Sequence, residues 1–400
     1  MSLLSFNNRH FIDTVLMEMN SHISRRKFIK DCITKGTAIA IASKAITDLQ
    51  VNDFVLADTL NETSQTLTES MFYKRLDGVM VQCLLEPRGC IVNNQERGYC
   101  GAKENRDGKY YSLVYSRPSA VYVEIVESDH FYHIRPGSQF LGLGTAGCNL
   151  GCKFCETWNL SQVRPEETET QNLTPEDAVQ LAQNKGCQII DFTYNDPVIC
   201  YEYVLETAKL ARKNGLLVLC HTAGYINEEP LRALLEHIDA INIDLKGFTE
   251  DYYSKFCGVQ LKHVLDTLKT IKQEKIMLEI TNLLVTGNND SKDDVSSMIS
   301  WIIDNLGDDV PIHFSRFYPN YQLTELLATL EETLEMAHDI AKSSGIKYVY
   351  IDNIPGHEYE STYCPTCKTR LIQRNGEVMS ELNKDGSCKK CGTKVPGIWS

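Results

Sequence analysis

The stretch Gln139-Phe140-Leu141-Gly142-Leu143-Gly144-Thr145-Ala146-Gly147-Cys148-Asn149-Leu150-Gly151-Cys152-Lys153-Phe154-Cys155 decides how this chain is read. Its first five residues read as a strand. The strand empties into a glycine-rich loop that carries three cysteines within eight positions. Thiols packed that tightly suit metal chelation better than bridges across a fold. Four thiolates hold an ordinary [4Fe-4S] cluster, so three leave one iron open to a ligand from outside the protein. A zinc knuckle or a set of buried thiols is the bland alternative. The position of the loop, directly after a strand in a repeating βα pattern, argues against it.

Working outward, apolar runs recur at 188–193, 216–220, 240–244, 276–280, 311–315 and 348–351. Helical patterns lie between them. One covers 197–214, opening at Pro197 and stopping before Gly215, and others cover 291–306 and 324–344. Repeated βα units imply a parallel sheet with helices on its outer face. Polar residues follow the apolar runs, where barrels of this kind place their chemistry. The expected fold is α/β: a full or partial (β/α) barrel with small cysteine-rich metal modules at both ends. The expected organisation is an extension over 1–65, a cysteine-containing subdomain over 66–130, the core barrel over 131–355 and a small module over 356–400. A further strand-like run, 120–126, falls in the second of these.

Lys plus Arg total 40 and Asp plus Glu total 53, a net charge of −13, and no dense basic run occurs. Nucleic acid and anionic membrane are therefore poor partners. No run of 18 apolar residues is present, so no membrane span is expected. The N-terminal Ser24-Arg25-Arg26-Lys27-Phe28-Ile29-Lys30 has the form of a twin-arginine signal. The apolar run after it is interrupted by Lys44, and the stretch reads equally well as a basic, frayed helix.

Fifteen cysteines are present, and the other tight pairs lie near the C-terminus. Cys364-Pro365-Thr366-Cys367 and Cys388-Lys389-Lys390-Cys391 form a zinc-ribbon pattern, a closed site of four thiolates without an open position. A rubredoxin-like iron site is the rival on ligand softness. A module so short of apolar residues needs its metal to fold. Cys187, Cys200, Cys220 and Cys257 stand alone among apolar residues and read as core cysteines.

CxxxCxxC with Phe154 before the third cysteine resembles the radical S-adenosylmethionine (SAM) signature. Its continuation Glu156-Thr157-Trp158-Asn159-Leu160-Ser161 resembles that of pyruvate formate-lyase activating enzymes. Over 78–400 the chain resembles the radical SAM member of the AmmeMemoRadiSam system. Thr193-Tyr194-Asn195-Asp196-Pro197, Asn242-Ile243-Asp244-Leu245-Lys246, Pro311-Ile312-His313-Phe314-Ser315-Arg316-Phe317-Tyr318-Pro319 and Thr362-Tyr363-Cys364-Pro365-Thr366-Cys367 carry that likeness.

The resemblance implies a [4Fe-4S] cluster on Cys148, Cys152 and Cys155. It implies SAM held by Tyr194, Asn195, Asp196, Asp244 and Lys246, with Glu279, Asn282 and His313 as further pocket residues. It implies a structural zinc on Cys364, Cys367, Cys388 and Cys391. Cys83, Cys90 and Cys100 match a four-cysteine metal motif of the family, except that Glu86 stands where its second cysteine is expected, which leaves either a weaker metal site or a vestigial one with free thiols. Two more departures are Asp196 in place of the usual Glu and Asp352 where relatives favour Gly before Asn353; a side chain there is expected to crowd the SAM pocket. The implied activity is reductive cleavage of SAM to a 5′-deoxyadenosyl radical that takes hydrogen from a substrate. Alternatives are an activase that installs a glycyl radical in a partner protein, and a non-catalytic iron-sulfur and zinc scaffold or electron carrier. The expected partner is a flavodoxin- or ferredoxin-type reductant, together with a substrate that includes proteins among the candidates. SAM and low-potential electrons are cytoplasmic supplies, so the cytoplasm is the expected site of action, with twin-arginine export as the alternative.

Overall fold

A computed structural model describes residues 67–374 and 378–400; the segment around Arg25 and Arg26 lies outside the described residues. The core is one eight-stranded sheet. Its strands are β1 (Ala120–Ile125), β2 (Gln139–Gly144), β3 (Ile189–Phe192), β4 (Leu217–Thr222), β5 (Ala240–Asp244), β6 (Met277–Leu284), β7 (Ile312–Arg316) and β8 (Val349–Asp352). They lie side by side in chain order, with β1 and β8 at the two edges. Strands β2 to β8 are all parallel. Only β1 is antiparallel, paired with β2 from Ala120↔Gly144 to Ile125↔Gln139. The barrel is thus partial. The run at 120–126, grouped by sequence with the N-terminal segment, forms the edge strand of this sheet.

Alternation within the strands separates two faces. The outer row includes Leu141, Ile190, Phe192, Val218, Ile241, Ile243, Leu278, Ile280, Ile312, Phe314 and Ile351, all in the main apolar core. Against it pack helices α1 (Pro175–Asn184), α2 (Tyr201–Lys213), α3 (Glu228–Leu235), α4 (Leu261–Glu274), α5 (Lys292–Leu306) and α6 (Glu331–Ser344). Burying each such Val, Leu or Ile side chain contributes roughly 1.5–3 kcal/mol. The inner row changes character along the strands. At the N-terminal ends it is apolar, and Phe140, Ile189, Leu219 and Ala240 pack on Val126, Phe131 and Ile134. Toward the C-terminal ends it carries Asp191, His221, Asn242, Asp244, Glu279, Thr281, His313, Ser315 and Asp352.

The segment 126–134 fills the barrel interior. Thr193 donates to its Asp129 at 2.9 Å, and Asn242 donates to the His130 carbonyl at 2.9 Å. The amides of Tyr132 and His133 donate to Glu279 at 3.1 and 2.9 Å. The expected helix over 324–344 begins only at Glu331. Tertiary bonds hold the residues before it: Thr329 N–H donates to the Phe317 carbonyl and its hydroxyl to that of Leu284, so the backbone turns rather than coils.

Candidate active site at the barrel mouth

Cys148, Cys152 and Cys155 all line one cleft of about 320 Å³ at the C-terminal ends of the strands. Their loop is fixed from several directions. Gly151 and Lys153 N–H donate to the carbonyls of Cys257 and Phe256, both at 2.9 Å. Asn195 accepts from Thr145 N–H at 3.0 Å and donates to the Gly147 carbonyl at 2.8 Å. Gly147 has φ +94°, and a Cβ there would lie 2.3 Å from the Cys100 carbonyl oxygen, so only glycine fits. Arg88 reaches in from the N-terminal subdomain and donates to the carbonyls of Asn149 and Gly258, each at 3.0 Å.

The three thiols fit a cluster. Burial pushes Cys148 and Cys155 above the ordinary thiol range, so without a metal they stay protonated. A hydrogen bond with Cys257, then burial, does the same for Cys152. Cys155 Sγ lies 3.1 Å from Ser161 Oγ, a hydroxyl suited to stabilising a cluster-bound sulfur, and 3.6 Å from Thr157 Oγ1, which donates to the Tyr194 carbonyl instead. Cys257, read from sequence as a core cysteine, is wholly buried yet sits against Cys152.

Tyr194, Asn195, Asp196, Asp244 and Lys246 line the same cleft. Their bonds differ. Asp196 is occupied by its own chain, accepting from Val198 N–H (3.0 Å), Thr222 Oγ1 (3.0 Å) and Ala223 N–H (3.2 Å). It ties the ends of β3 and β4 together. Asp244 takes Lys246 Nζ at 2.7 Å and His221 Nε2 at 3.0 Å. Burial works against charge on Lys246, but Asp244 outweighs it and holds the ammonium well above its usual pKa. Tyr194, at φ +73°, is a bulky residue in a left-handed conformation. His130 (+60°) and Asn353 (+61°) share that conformation and the cleft, and such strain clusters at functional sites.

Glu279, Asn282 and His313, expected in the pocket, are buried and do not line the cleft: Glu279 and His313 face the barrel interior, and Asn282 falls on the outer row with Leu278 and Ile280. His313 Nε2 meets Glu279 Oε2 at 2.8 Å, and Asn282 donates to the Leu245 carbonyl at 2.6 Å. Sequence reading missed His221, Asp129 and His130. His221 Nδ1 lies 3.0 Å from Asp129 Oδ1, so one imidazole spans two carboxylates. Burial opposes charge on His221, yet Asp129 and Asp244 raise it well above the usual range. Asp191, wholly buried, is pushed up by burial and by Asp129. The missed signal was strand length: β4 continues past Cys220 to Thr222, which turns His221 inward. Asp352, expected to crowd the SAM pocket, is turned onto His130 and His313 and does not line the cleft.

At the C-terminus the Sγ atoms of Cys364, Cys367, Cys388 and Cys391 all lie within 4.8 Å of one another. Cys364–Cys391 is 3.5 Å and Cys367–Cys388 is 3.7 Å. Zinc-sulfur bonds of about 2.3 Å set tetrahedral sulfurs at about that spacing. Hydrogen bonds from the Thr369 side chain and backbone lower the Cys367 thiol to about 6. Near the N-terminus, Glu86 interacts electrostatically with Cys83, Cys90 and Cys100, and Cys83 with both Cys90 and Cys100. Burial raises the Glu86 carboxyl to about 7 and leaves its Oε2 without a partner.

An open α/β barrel whose mouth gathers three thiols, a fixed ammonium and buried carboxylates defines a cofactor-dependent barrel of the iron-sulfur kind. The sequence profile described as the Radical SAM superfamily matches residues 143–302. The chain is 41% identical over 332 residues to an uncharacterized protein of Methanocaldococcus jannaschii, covering 82% of this chain and 99% of that protein. It is 25% identical over 185 residues to the pyruvate formate-lyase-activating enzyme of Staphylococcus epidermidis, covering 43% of this chain and 72% of that protein. Among solved structures it is similar to a radical SAM methyltransferase from Sphaerobacter thermophilus, with 14% identity, a TM-score of 0.45 and coverage of 71% and 76% of the two chains. The chain belongs to the radical SAM superfamily. Membership implies a [4Fe-4S] cluster and SAM, and the group of four cysteines at the C-terminus offers a further metal site. Among the described residues, no helix is long and apolar enough to cross a membrane.

Proposed function

We infer that this protein cleaves SAM reductively at a cluster held by Cys148, Cys152 and Cys155 and uses the resulting radical to abstract hydrogen from a substrate in the cleft. The observation that carries this is the convergence of the three thiols with Lys246 and Asp244 in one partly closed space. When bound, the cluster supplies an electron to the sulfonium of SAM, giving methionine and a 5′-deoxyadenosyl radical. The chain's own residues do the rest. Lys246, fixed by Asp244, presents a positive charge suited to the SAM carboxylate. The Tyr194-Asn195-Asp196 turn, pinned by its own hydrogen bonds, lines the cleft where the SAM amino group would sit. Glu156, which burial raises above the usual carboxyl range, and Glu124 stand in the cleft to orient ribose or substrate.

A flavodoxin- or ferredoxin-type protein supplies the electron. The C-terminal module holds zinc, and Cys83, Cys90 and Cys100 with Glu86 form a weaker metal site. The likeness to pyruvate formate-lyase-activating enzymes favours a second reading, an activase acting on a partner protein. The place of action is the cytoplasm, where SAM and reductant are made.

The test is 5′-deoxyadenosine formation from SAM and dithionite by the anaerobically reconstituted protein. Wild type forms it, and Cys152→Ala loses it to background. A wild-type protein with a fully loaded, reducible cluster and no product, alone or with a candidate glycyl-radical partner, would leave only the scaffold reading.

A further inference from the structure

One cluster of ligating side chains is not used by the radical reading. Asp352, at the end of β8, is 2% exposed and receives two imidazoles on a single oxygen. His313 Nδ1 and His130 Nδ1 each lie 2.8 Å from Asp352 Oδ2. The three ligating atoms all fall within 4.8 Å of one another. They come from different parts of the fold. His313 and Asp352 stand on the inner faces of adjacent strands, and His130 comes from the interior segment 126–134.

The surroundings prepare these groups for a cation. Glu279 Oε2 lies 2.8 Å from His313 Nε2, and both Glu279 oxygens also accept backbone N–H bonds from 132 and 133. Glu279 is thereby fixed as an acceptor, so His313 donates through Nε2. That leaves Nδ1 facing Asp352 Oδ2 at 2.8 Å, a contact made by a proton on Nδ1 or by a metal ion that displaces it. A carboxylate behind a histidine is the usual outer partner of a metal-bound imidazole. The second Asp352 oxygen, Oδ1, is buried, and the Tyr132 hydroxyl also approaches this carboxylate. Thr281, in register with His313 on the next strand, has a buried hydroxyl that is unpartnered. His130, held at φ +60°, also lines the cleft. The surface group Glu331, Glu335 and His357 is looser, with His-to-carboxylate distances of 3.4 and 3.8 Å and half-exposed glutamates.

We propose that His130, His313 and Asp352 form a mononuclear metal site in the floor of the cleft, which takes one divalent first-row transition ion and is separate from the cluster and from the four-cysteine module. Two imidazoles and one carboxylate on one side of an ion leave its other positions open, and this donor set suits Fe(II), Co(II) or Zn(II) over Mg(II) or Ca(II). His130 lines the same cleft as the cluster cysteines, whereas His313 and Asp352 are buried behind it, so His130 is the ligand through which the site meets the cleft. The site would bind a polar substrate group such as a carboxylate, hydroxyl or carbonyl oxygen and fix it before hydrogen abstraction. That use rests on the radical reading. Metal binding does not, because the ion is held whether or not SAM is cleaved.

The experiment uses the full-length protein with its cluster loaded and the four-cysteine module filled with zinc. It is equilibrated anaerobically with Co(II) alone, then assayed for metal content and by cobalt-edge X-ray absorption. The expected result is one cobalt per chain with nitrogen and oxygen ligands, imidazole scattering and no sulfur. His130→Gln and Asp352→Asn lose that cobalt while keeping iron and zinc at wild-type levels, and Glu279→Gln weakens it by roughly 10–100-fold. Should Asp352→Asn fail to fold by circular dichroism, His130→Gln decides, since His130 is only partly buried. No bound cobalt in folded wild type, sulfur-ligated cobalt, or equal cobalt in wild type and His130→Gln would each overturn the proposal.

Discussion

The chain holds two tight cysteine clusters whose geometries contrast. In the C-terminal module four sulfurs lie within 4.8 Å of one another, Cys364 and Cys388 buried and Cys367 and Cys391 nearer the surface; hydrogen bonds lower the latter two thiols, and burial raises Cys364 to about 11. The set is complete, with no corner left for a fifth partner. In the barrel loop three thiols are buried around a cleft, and burial raises them. Each group there is held from outside: by Asn195, by the carbonyls of 256 and 257, and by Arg88. Closed sites organise themselves around their metal, whereas an open site has to be organised by the rest of the protein.

The strongest way to break that contrast is to exchange the losses. Cys388→Ala should abolish zinc binding and unfold only the C-terminal module, with cluster iron unchanged, because structural zinc contributes about 10–16 kcal/mol to such folds. Cys152→Ala should do the reverse, losing iron and keeping zinc. Metal analysis with near-UV circular dichroism of Trp399 reads both. Loss of both metals in either variant would show that the two sites fold as one unit.

A smaller effect tests the external support of the loop. Lys103 and Glu202 form a buried ion pair at 2.6 Å, joining the N-terminal subdomain to α2. Ser70 also accepts from Lys103 at 3.1 Å. Lys103→Met leaves the Glu202 charge unpaired and should cost about 3–5 kcal/mol in denaturant unfolding. It should also hasten cluster loss while leaving zinc affinity unchanged. Adding Glu202→Leu should recover most of that stability, since the unpaired charge is then gone. Equal stability of Lys103→Met and wild type would mean that the subdomain does not brace the barrel.

What the sequence disclosed follows the same division. All seven parallel strands were legible, because their outer rows are apolar throughout and their inner rows are apolar at the N-terminal ends. Both cysteine patterns were legible because metal spacing is local. The interior segment 126–134 was not. It has no periodicity, and Asp129 and His130 acquire meaning only from strands far away in sequence. His221 and Asp352 were missed or misread for a related reason. A strand reading that stops at the last apolar residue discards the inward polar residue that follows, as at Cys220 and His221. Cys257 looked like core because its neighbours Phe256 and Val259 are apolar, and its contact with Cys152 spans about a hundred positions.

The smallest expected effect sharpens the comparison by pH. Glu86 is raised from 4.5 to about 7 by burial. Between those values the folded chain keeps a proton that the unfolded chain has released, so stability falls as pH rises through that window. The loss should be on the order of 1–3 kcal/mol, complete above pH 7 and absent below 4.5. Glu86→Gln should flatten it in denaturant midpoints measured from pH 5 to 7.5 without added metal. At the other end of the chain the sign reverses. Cys367 is lowered from 9.0 to about 6, so its thiolate forms as pH rises through 6 and zinc is held more firmly. Chelator competition over pH 5–8 should show zinc retention improving through that range while the Glu86-dependent stability declines. If both quantities moved together in wild type and in Glu86→Gln, a general loss of folding would account for them. Opposite slopes, with only the first removed by Glu86→Gln, would confirm that the open site rests on a buried scaffold and the closed one on its own thiolates.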